Sequence, residues 1–319
     1  MFKAEVKSAV DEDICILIKV DNHPYNYICD CGEAKSLSVK ECQNTNAIFI
    51  SHTHIDHFVN FDTILRHQIG IQRKVVISGP NGIIDQVQHR IQSYCWNLID
   101  KNAITYEVRE ILEQGVYKSA LLRPPLWLKE EEKIVESATI FEEKQFEVSY
   151  EVLDHKTDTI AYLFAAYDKV KIELTGDLKG GKWVRELKDA YEDVDPEKII
   201  KIEDKTYRSK ELFHLIHNKK GKKLGVILDH AATTANHTKI KRCFTNADEV
   251  YIECFYKDED KEFAKKNHHS YASESGKIMN LCGVQRAIPV HFSRKYEDQD
   301  IKELIEQFDN AKNKNYLND

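Results

Sequence analysis

The sequence predicts a layered α/β domain, because short apolar runs with the two-residue alternation of strands are followed by segments with helical spacing. Strands are predicted at 14–20, 26–30 and 47–50. Helices are predicted at 58–69 and from the Gly-Pro turn of SGPNGI to about Leu98. Alternation of this kind is typical of sheets whose faces are covered by helices.

The second half of the chain continues the alternation with two interruptions. Buried strands are predicted in FEVSYEVLDH, TIAYLFAAY, LGVILDH, ADEVYIECF and RAIPVHF, and a helix at 300–309. Residues 112–145 are hard to interpret, because RPPLW breaks the chain and KEEEKIVES and FEEKQ look like exposed charge. Residues 178–222 show no strong core pattern, so they are expected to lie outside the main core.

Composition limits the possible functions. The chain has 319 residues, of which 42% are hydrophobic, enough for one large domain or two small ones. No apolar run approaches the ~20 residues of a membrane helix, and the first residues lack a signal peptide, so a cytoplasmic protein is predicted. The net charge of −7 argues against a general nucleic-acid binder.

One segment differs from the rest in charge. Residues 169–223 contain 15 Lys and Arg against 11 Asp and Glu, within a chain whose net charge is negative. Four cations recur every three residues beside Trp183 and are candidates for binding a phosphate backbone, with an aromatic ring nearby. A solvated charged face is the alternative. These cations are Lys179, Lys182, Arg185 and Lys188.

The motif IFISHTHIDHF carries the strongest chemical signal. Its alternation places His52 and His54 on one side of the chain, where both imidazoles can reach one metal ion at ~2.0–2.1 Å. Asp56 and His57 follow where a helix begins, so they can face a second ion. Imidazole and carboxylate ligands together suit zinc or a similar first-row metal.

CDCGEA followed by AIFISHTHIDHF resembles the metallo-β-lactamase superfamily, and within it the RNase Z branch. SGPNGI, LDHKTDTIAYLF and HHSYASESGKIMNLCGVQRAIPVHFSRKY extend the resemblance over most of the chain. It implies a single α/β domain over 1–319, a four-layer αββα sandwich with an inserted basic arm. LKGGKW and the residues that follow resemble the protruding arm of that branch, which places the arm at 169–223.

The resemblance also implies two zinc ions, with manganese or iron as alternatives, and their ligands. One ion would be held by His52, His54 and His155, and the other by Asp56, His57 and His291.

The carboxylate that bridges the two ions has two candidates, Asp177 in IELTGD and Asp229 in GVILDHA. The Thr-Gly-Asp sequence that contains Asp177 is the usual motif at this place in the family. Spacing favours Asp229, because ADEVYIECF with Glu253 begins about twenty residues after it, and because the arm precedes the bridging Asp in this branch. Asp229 is therefore predicted as the bridge and Asp177 as a turn residue.

Catalytic roles follow from the same resemblance. Water is the nucleophile, and the two ions stabilise the attacking and leaving oxygens of a phosphoryl displacement. His269 would serve the leaving group with Glu253 as its orienting partner, and Asp56 is predicted to be catalytic as well as a ligand. Asp30 would hold a metal-binding histidine in place. Lys179, Lys182, Trp183 and Arg185 are predicted to bind the substrate.

The expected function is removal of 3′ trailers from tRNA precursors by a homodimeric phosphodiesterase. The first strands lack the Gly-rich turn and the Pro-x-Lys-x-Arg-Asn loop of tRNA-processing members, and the arm has KGGKW in place of a Gly-Pro pair. A cyclic nucleotide phosphodiesterase is therefore the alternative. A non-catalytic RNA-binding scaffold is a third reading, which the complete ligand set disfavours.

Overall fold

The computed structural model describes residues 1–174 and 178–316. The chain divides into two compact units, one of Met1–Ala165 with Lys222–Asp319 and one of Ala166–Gly221. Among the described residues, no helix combines the length and the apolar character that a membrane span would require.

Eight strands of the first unit form one sheet, in which they follow one another in chain order. They are β1 (Phe2–Val6), β2 (Ile16–Val20), β3 (Asn26–Cys29), β4 (Thr45–Phe49), β5 (Lys74–Gly79), β6 (Thr105–Glu113), β7 (Val116–Leu122) and β8 (Lys129–Glu136). The connecting helices are α1 (Val39–Asn44), α2 (Ile55–Phe58), α3 (Phe61–Gln68) and α4 (Ile83–Gln92). Strands β3 to β6 are parallel, and the four helices lie in the crossovers that parallel pairing requires.

Six strands form the second sheet, in the order β18-β17-β16-β11-β10-β9. They are β9 (Thr139–Glu143), β10 (Phe146–Asp154), β11 (Asp158–Ala166), β16 (Lys223–Ile227), β17 (Glu249–Glu253) and β18 (Arg286–Val290). The helices of this half are α7 (Thr234–Phe244), α8 (Lys261–Asn267), α9 (Ala272–Leu281) and α10 (Asp298–Asn313), with a 3₁₀ turn at Asp258–Asp260. Strands β16, β17 and β18 are parallel.

Aromatic side chains pack the two sheets against each other. Phe49 of the first sheet lies 5.2 Å from Phe164 of the second between ring centroids, and Tyr27 lies 5.1 Å from Phe146. On the outer faces, α3 and α4 share one buried core with the first sheet, and α7, α9 and α10 share another with the second. The predicted four-layer αββα sandwich is therefore confirmed.

Residues 112–145, which the sequence left without an assigned structure, contain strands of both sheets. KEEEKIVE is strand β8, which lies at the edge of the first sheet with most of its residues exposed. Charged side chains at an edge strand discourage pairing with other molecules, so the exposed charge noted in the sequence is also the composition of a protected edge. The helix expected to reach Leu98 ends at Gln92, and Leu98 is fully exposed in the segment that follows.

The second unit has a small core of its own, although its sequence shows no strong core pattern. Short elements each contribute one or two apolar side chains, which is too sparse a signal for periodicity. The core consists of Trp183, Leu187, Ile200, Ile202, Leu212 and Leu215. Its elements are β12 (Lys169–Ile172), α5 (Lys182–Glu192), β13 (Ile199–Ile202), β14 (Lys205–Arg208), α6 (Ser209–Leu212), a 3₁₀ turn at Phe213–Leu215 and β15 (Ile216–Lys219).

Candidate metal and catalytic site

The polar side chains singled out from the sequence meet where strands of both sheets end. Apart from His269, which follows α8, each one ends a strand or follows its carboxyl end within a few residues, so the two sheets bring them to a common edge. Asp30 follows β3, the histidine motif follows β4, His155 follows β10, Asp229 follows β16, Glu253 ends β17 and His291 follows β18.

His52, His54, His155 and Asp229 form the first cluster, in which one ligand atom of each lies within 4.8 Å of the others. One carboxylate oxygen of Asp229, Oδ2, lies 3.3 Å from His155 Nε2 and 3.9 Å from His52 Nε2. His54 caps the N-terminus of α2 and is the exposed member of the group. Three imidazoles and a carboxylate thus converge on one point.

Asp56, His57 and His291 form the second cluster under the same distance limit. The other oxygen of Asp229, Oδ1, lies 3.4 Å from His57 Nε2 and 2.9 Å from His291 Nδ1. Asp229 is almost fully buried and presents one oxygen to each cluster. Asp177, the alternative bridge considered from the sequence, lies outside the described residues.

Several ligand-type atoms in these clusters are buried with no hydrogen-bond partner among the residues that the structure describes. An unsatisfied buried polar group costs about 1–3 kcal/mol, so a group of them is expected only where something else binds. Neutral imidazole nitrogens and a carboxylate are ligands that divalent transition metals prefer. The residues present therefore fit a divalent metal. These atoms are His52 Nε2, His57 Nε2, His291 Nδ1 and Asp229 Oδ1; the last two lie 2.9 Å apart but without the geometry of a hydrogen bond.

The charges of the site follow from burial and from the shared carboxylate. Burial, reinforced by His57, lowers the pKa of His52 to about 2, so its imidazole is neutral at physiological pH. Burial opposes ionisation of Asp229, but His291 and His57 outweigh it and hold the pKa of that carboxyl well below its usual range. Asp229 is therefore an anion with both oxygens available, and His52 is neutral, as metal ligation requires.

Asp30 fixes the orientation of His57. Its carboxylate is fully buried and accepts hydrogen bonds of 2.6 Å from Ser51 N, Ser51 Oγ and His57 Nδ1. The imidazole is thereby held with Nε2 towards Asp229. Gly32 of the DCGEA motif allows the chain to pass here, because a Cβ at this residue would lie 2.2 Å from the carbonyl oxygen of Asp13.

His155 is oriented by a backbone group that sequence reasoning missed. Its Nδ1 donates a 2.6 Å hydrogen bond to the carbonyl oxygen of His268, which leaves Nε2 facing Asp229. His268 has a left-handed backbone, φ 59°, where it ends α8. No sequence pattern identifies a carbonyl acceptor of this kind, because it depends on tertiary contacts.

His269 and Glu253 form a buried pair beside the two clusters. Glu253 Oε1 accepts a hydrogen bond from His269 Nδ1, and Oε2 accepts from the backbone N–H groups of His230 and Ser270 at 3.1 Å each. Burial opposes charge on His269, but Glu253 outweighs it and raises the pKa of the imidazole. His269 Nδ1 also lies 3.7 Å from Asp229 Oδ2, so the pair adjoins the candidate metal ligands.

Phe255 is a second contact that the sequence did not reveal. Its ring stacks on His269 with centroids 3.9 Å apart and planes 7° apart. It also lines a cavity of about 500 Å³ that reaches Asp56 and His291. The turn between β1 and β2 and residues 288–295 form the remaining walls.

The second unit does not present the predicted substrate contacts as a single helix face. Trp183 is buried in the core of that unit with its Nε1 donating to the carbonyl oxygen of Lys179, so it is not available to stack on a base. Lys179 precedes α5, which begins at Lys182. Lys182 and Arg185 are exposed on the helix face opposite the buried side chains, so they remain candidates for contact with a phosphate backbone.

Curated relatives match most of the chain, although no family model matches it. Ribonuclease Z of Deinococcus radiodurans is 24% identical over 293 residues, which are 87% of this chain and 85% of the relative. Ribonuclease Z of Borreliella burgdorferi strain ZS7 is 28% identical over 306 residues, which are 92% of this chain and 84% of the relative. The similarity therefore extends over nearly the whole of both proteins.

Solved structures show the same fold. The short form of human tRNase Z superposes with a TM-score of 0.54 at 16% identity and covers 88% of this chain and 86% of its own. The metallo-β-lactamase fold protein YhfI of Bacillus subtilis superposes with a TM-score of 0.53 at 13% identity, covering 95% and 90%. The chain therefore shares the fold of these solved structures and is similar in sequence to proteins named ribonuclease Z over most of its length.

Proposed function

We propose that this protein is a metal-dependent endonuclease that removes 3′ trailers from tRNA precursors. The observation that carries the proposal is the pair of clusters with Asp229 between them, one oxygen towards His155 and the other towards His57 and His291, because two adjacent ions suit in-line displacement at a phosphodiester. Relatives named ribonuclease Z, similar over nearly their full length, support the substrate class. A cytoplasmic location and a homodimer belong to the same proposal.

The metal would be two divalent ions, zinc in the first instance and manganese or iron otherwise. When bound, two such ions lower the pKa of water and stabilise the charge on the phosphate oxygens. The first would be held by His52, His54 and His155 and the second by Asp56, His57 and His291, with Asp229 shared between them.

Two protein groups, Asp56 and His269, accept and donate the protons that hydrolysis requires. As the oxygen of water forms a bond to phosphorus, water loses a proton to the carboxylate of Asp56, which is half-exposed and faces the cavity. The bond between phosphorus and the ester oxygen breaks, and that oxygen keeps the electron pair and takes a proton from His269. Buried Glu253, on the other ring nitrogen, holds the imidazole in position and stabilises its cation before the transfer.

The basic second unit would supply affinity for RNA. Lys182 and Arg185 are exposed there, and KKGKK at 219–223 adds further cations to an otherwise acidic chain. Each phosphate neutralised by such groups releases counterions, so binding of a tRNA is expected to weaken steeply with salt. Small diesters with one phosphate would lack this dependence.

A direct test compares two substrates under the same conditions. The purified protein, loaded with zinc or manganese, is incubated with a 3′-extended tRNA and with cyclic mononucleotides, and Asp229→Ala serves as the inactive control. Cleavage of the tRNA near the discriminator base supports the proposal. If the tRNA stays intact while cyclic mononucleotides are opened, the protein is a cyclic nucleotide phosphodiesterase instead. Light scattering of the same sample tests the homodimer.

A further inference from the structure

We propose that Phe255 is a positioning residue that holds the imidazole of His269 at the angle needed to protonate the leaving group. The inference rests on the proposed function, in which His269 is the proton donor. Phe255 and His269 are stacked almost parallel, with centroids 3.9 Å apart and planes 7° apart. A flat contact of this kind restrains the tilt of a ring.

The hydrogen bond that His269 donates to Glu253 cannot provide that restraint alone. It fixes one edge of the imidazole, at Nδ1, but leaves the ring free to tilt about the line joining Nδ1 to the carboxylate. Phe255 lies two residues beyond Glu253, where β17 ends, and both side chains contact the same imidazole. Glu253 therefore contacts the edge of His269 and Phe255 contacts its face.

Phe255 is itself held in place. Its carbonyl oxygen accepts a 3.1 Å hydrogen bond from Ser293 N, which ties it to the turn after β18. Its ring also contacts Tyr256 and His291, with centroid distances of 4.9 Å and 5.1 Å. The ring of Phe255 thus lies between His269 and His291, which is a candidate metal ligand.

A comparison of substrates with different leaving groups distinguishes this positioning role from a general role of Phe255 in folding or binding. A ribose oxygen leaves as a strong base and needs a proton, whereas p-nitrophenolate is a weak base that leaves without one. Misplacing the proton donor should therefore slow cleavage of RNA and spare bis(p-nitrophenyl) phosphate. A variant that damages the metal site would slow both.

The experiment compares Phe255→Met, which conserves apolar volume but removes the flat face, with Phe255→Tyr, which keeps it. We expect Phe255→Met to lower kcat for a 3′-extended tRNA roughly tenfold, given the strength of aromatic pairs and the sensitivity of catalysis to orientation. We expect its KM for the tRNA and its kcat for bis(p-nitrophenyl) phosphate to change by less than about twofold, and Phe255→Tyr to restore the rate. Phe292→Leu, which removes another ring from the same cavity, should show no selectivity between the substrates.

His269→Ala separates failure of this inference from failure of the proposed function. If His269→Ala slows both substrates equally, the proton donor is misassigned and the proposed mechanism fails. If His269→Ala is selective but Phe255→Met is not, the positioning role is wrong. If the wild type opens cyclic mononucleotides and not tRNA, the same comparison is made with them, because their leaving group is also a ribose oxygen. Should Phe255→Met not fold, Phe255→Leu is interpreted in the same way.

Discussion

Replacing Asp30 by alanine tests how a buried carboxylate that is not itself a candidate ligand holds the candidate ligands in place. Asp30 accepts hydrogen bonds from Ser51 N, Ser51 Oγ and His57 Nδ1, all at 2.6 Å. The Ser51 hydroxyl can still reach one histidine after the substitution, at 3.1 Å from His52 Nδ1 or 3.5 Å from His57 Nδ1. One or two of the three buried donors then remain without an acceptor.

Each such donor costs about 1–3 kcal/mol, so the loss of an acceptor for one or two of them should lower the free energy of unfolding of Asp30→Ala by about 1–6 kcal/mol. Release of the His57 imidazole should also weaken metal binding roughly 10- to 100-fold, which is the usual cost of losing a partner of a metal ligand. Urea unfolding in the presence of a chelator measures the first quantity. Titration of metal-free protein with zinc against a competing chelator measures the second.

Glu151→Ala is the matched control, because Glu151 is also a buried carboxylate but its partner Arg242 has a side chain that is 62% exposed. The guanidinium can return to water, so a loss of about 1 kcal/mol and no change in metal affinity are expected. The reasoning is refuted if Asp30→Ala costs no more than Glu151→Ala, or if its affinity for zinc stays within about threefold of the wild type.

Elemental analysis of protein purified without chelator should find about two transition-metal ions per chain, with fewer in His54→Ala; less than about one ion in the wild type and no effect of His54→Ala would refute the ligand set. Asp229→Ala should abolish hydrolysis and reduce metal occupancy, because among the described residues it removes the only carboxylate that faces both clusters. Asp177→Ala should leave hydrolysis and metal occupancy nearly intact, and the reverse result would make Asp177 the bridge. Deletion of 166–221 should raise KM for a tRNA precursor many-fold and remove most of the salt dependence of that KM, while hydrolysis of bis(p-nitrophenyl) phosphate is unchanged. An equal loss of activity on both substrates would indicate that the deletion damages the first unit. Burial raises the pKa of Glu41, but hydrogen bonds from Ser38 and two lysines outweigh burial and lower the pKa to about 2, so the carboxylate stabilises the fold above its unfolded pKa. Glu41→Gln should therefore destabilise the protein at pH 7, and the difference in unfolding free energy from the wild type should shrink as pH falls from 4.5 towards 2. A difference that is constant with pH would exclude this ionic contribution.

The sequence by itself determined the fold class and most of the residues that meet at the site. Strand alternation and turn residues are local properties, so the strands before His52 and before Asp229 could be predicted together with the polar residues at their ends. The histidine motif marked one part of the site by its residue types alone, whereas His155, Asp229 and His291 were selected through the resemblance to the metallo-β-lactamase superfamily. The roles of these residues as metal ligands and catalysts remain predictions.

Asp30 and Glu253 were predicted as orienting groups from the resemblance, but two further groups that orient the site were revealed by tertiary structure alone. The carbonyl oxygen of His268 holds His155, the ring of Phe255 holds His269, and neither contact leaves a pattern in the sequence. The same limit applies to Trp183, which looks like a surface aromatic within a basic segment but is buried by side chains from distant short elements. Periodicity reports how a residue relates to its neighbours along the chain, whereas burial, stacking and backbone acceptors depend on residues brought together only when the layers pack.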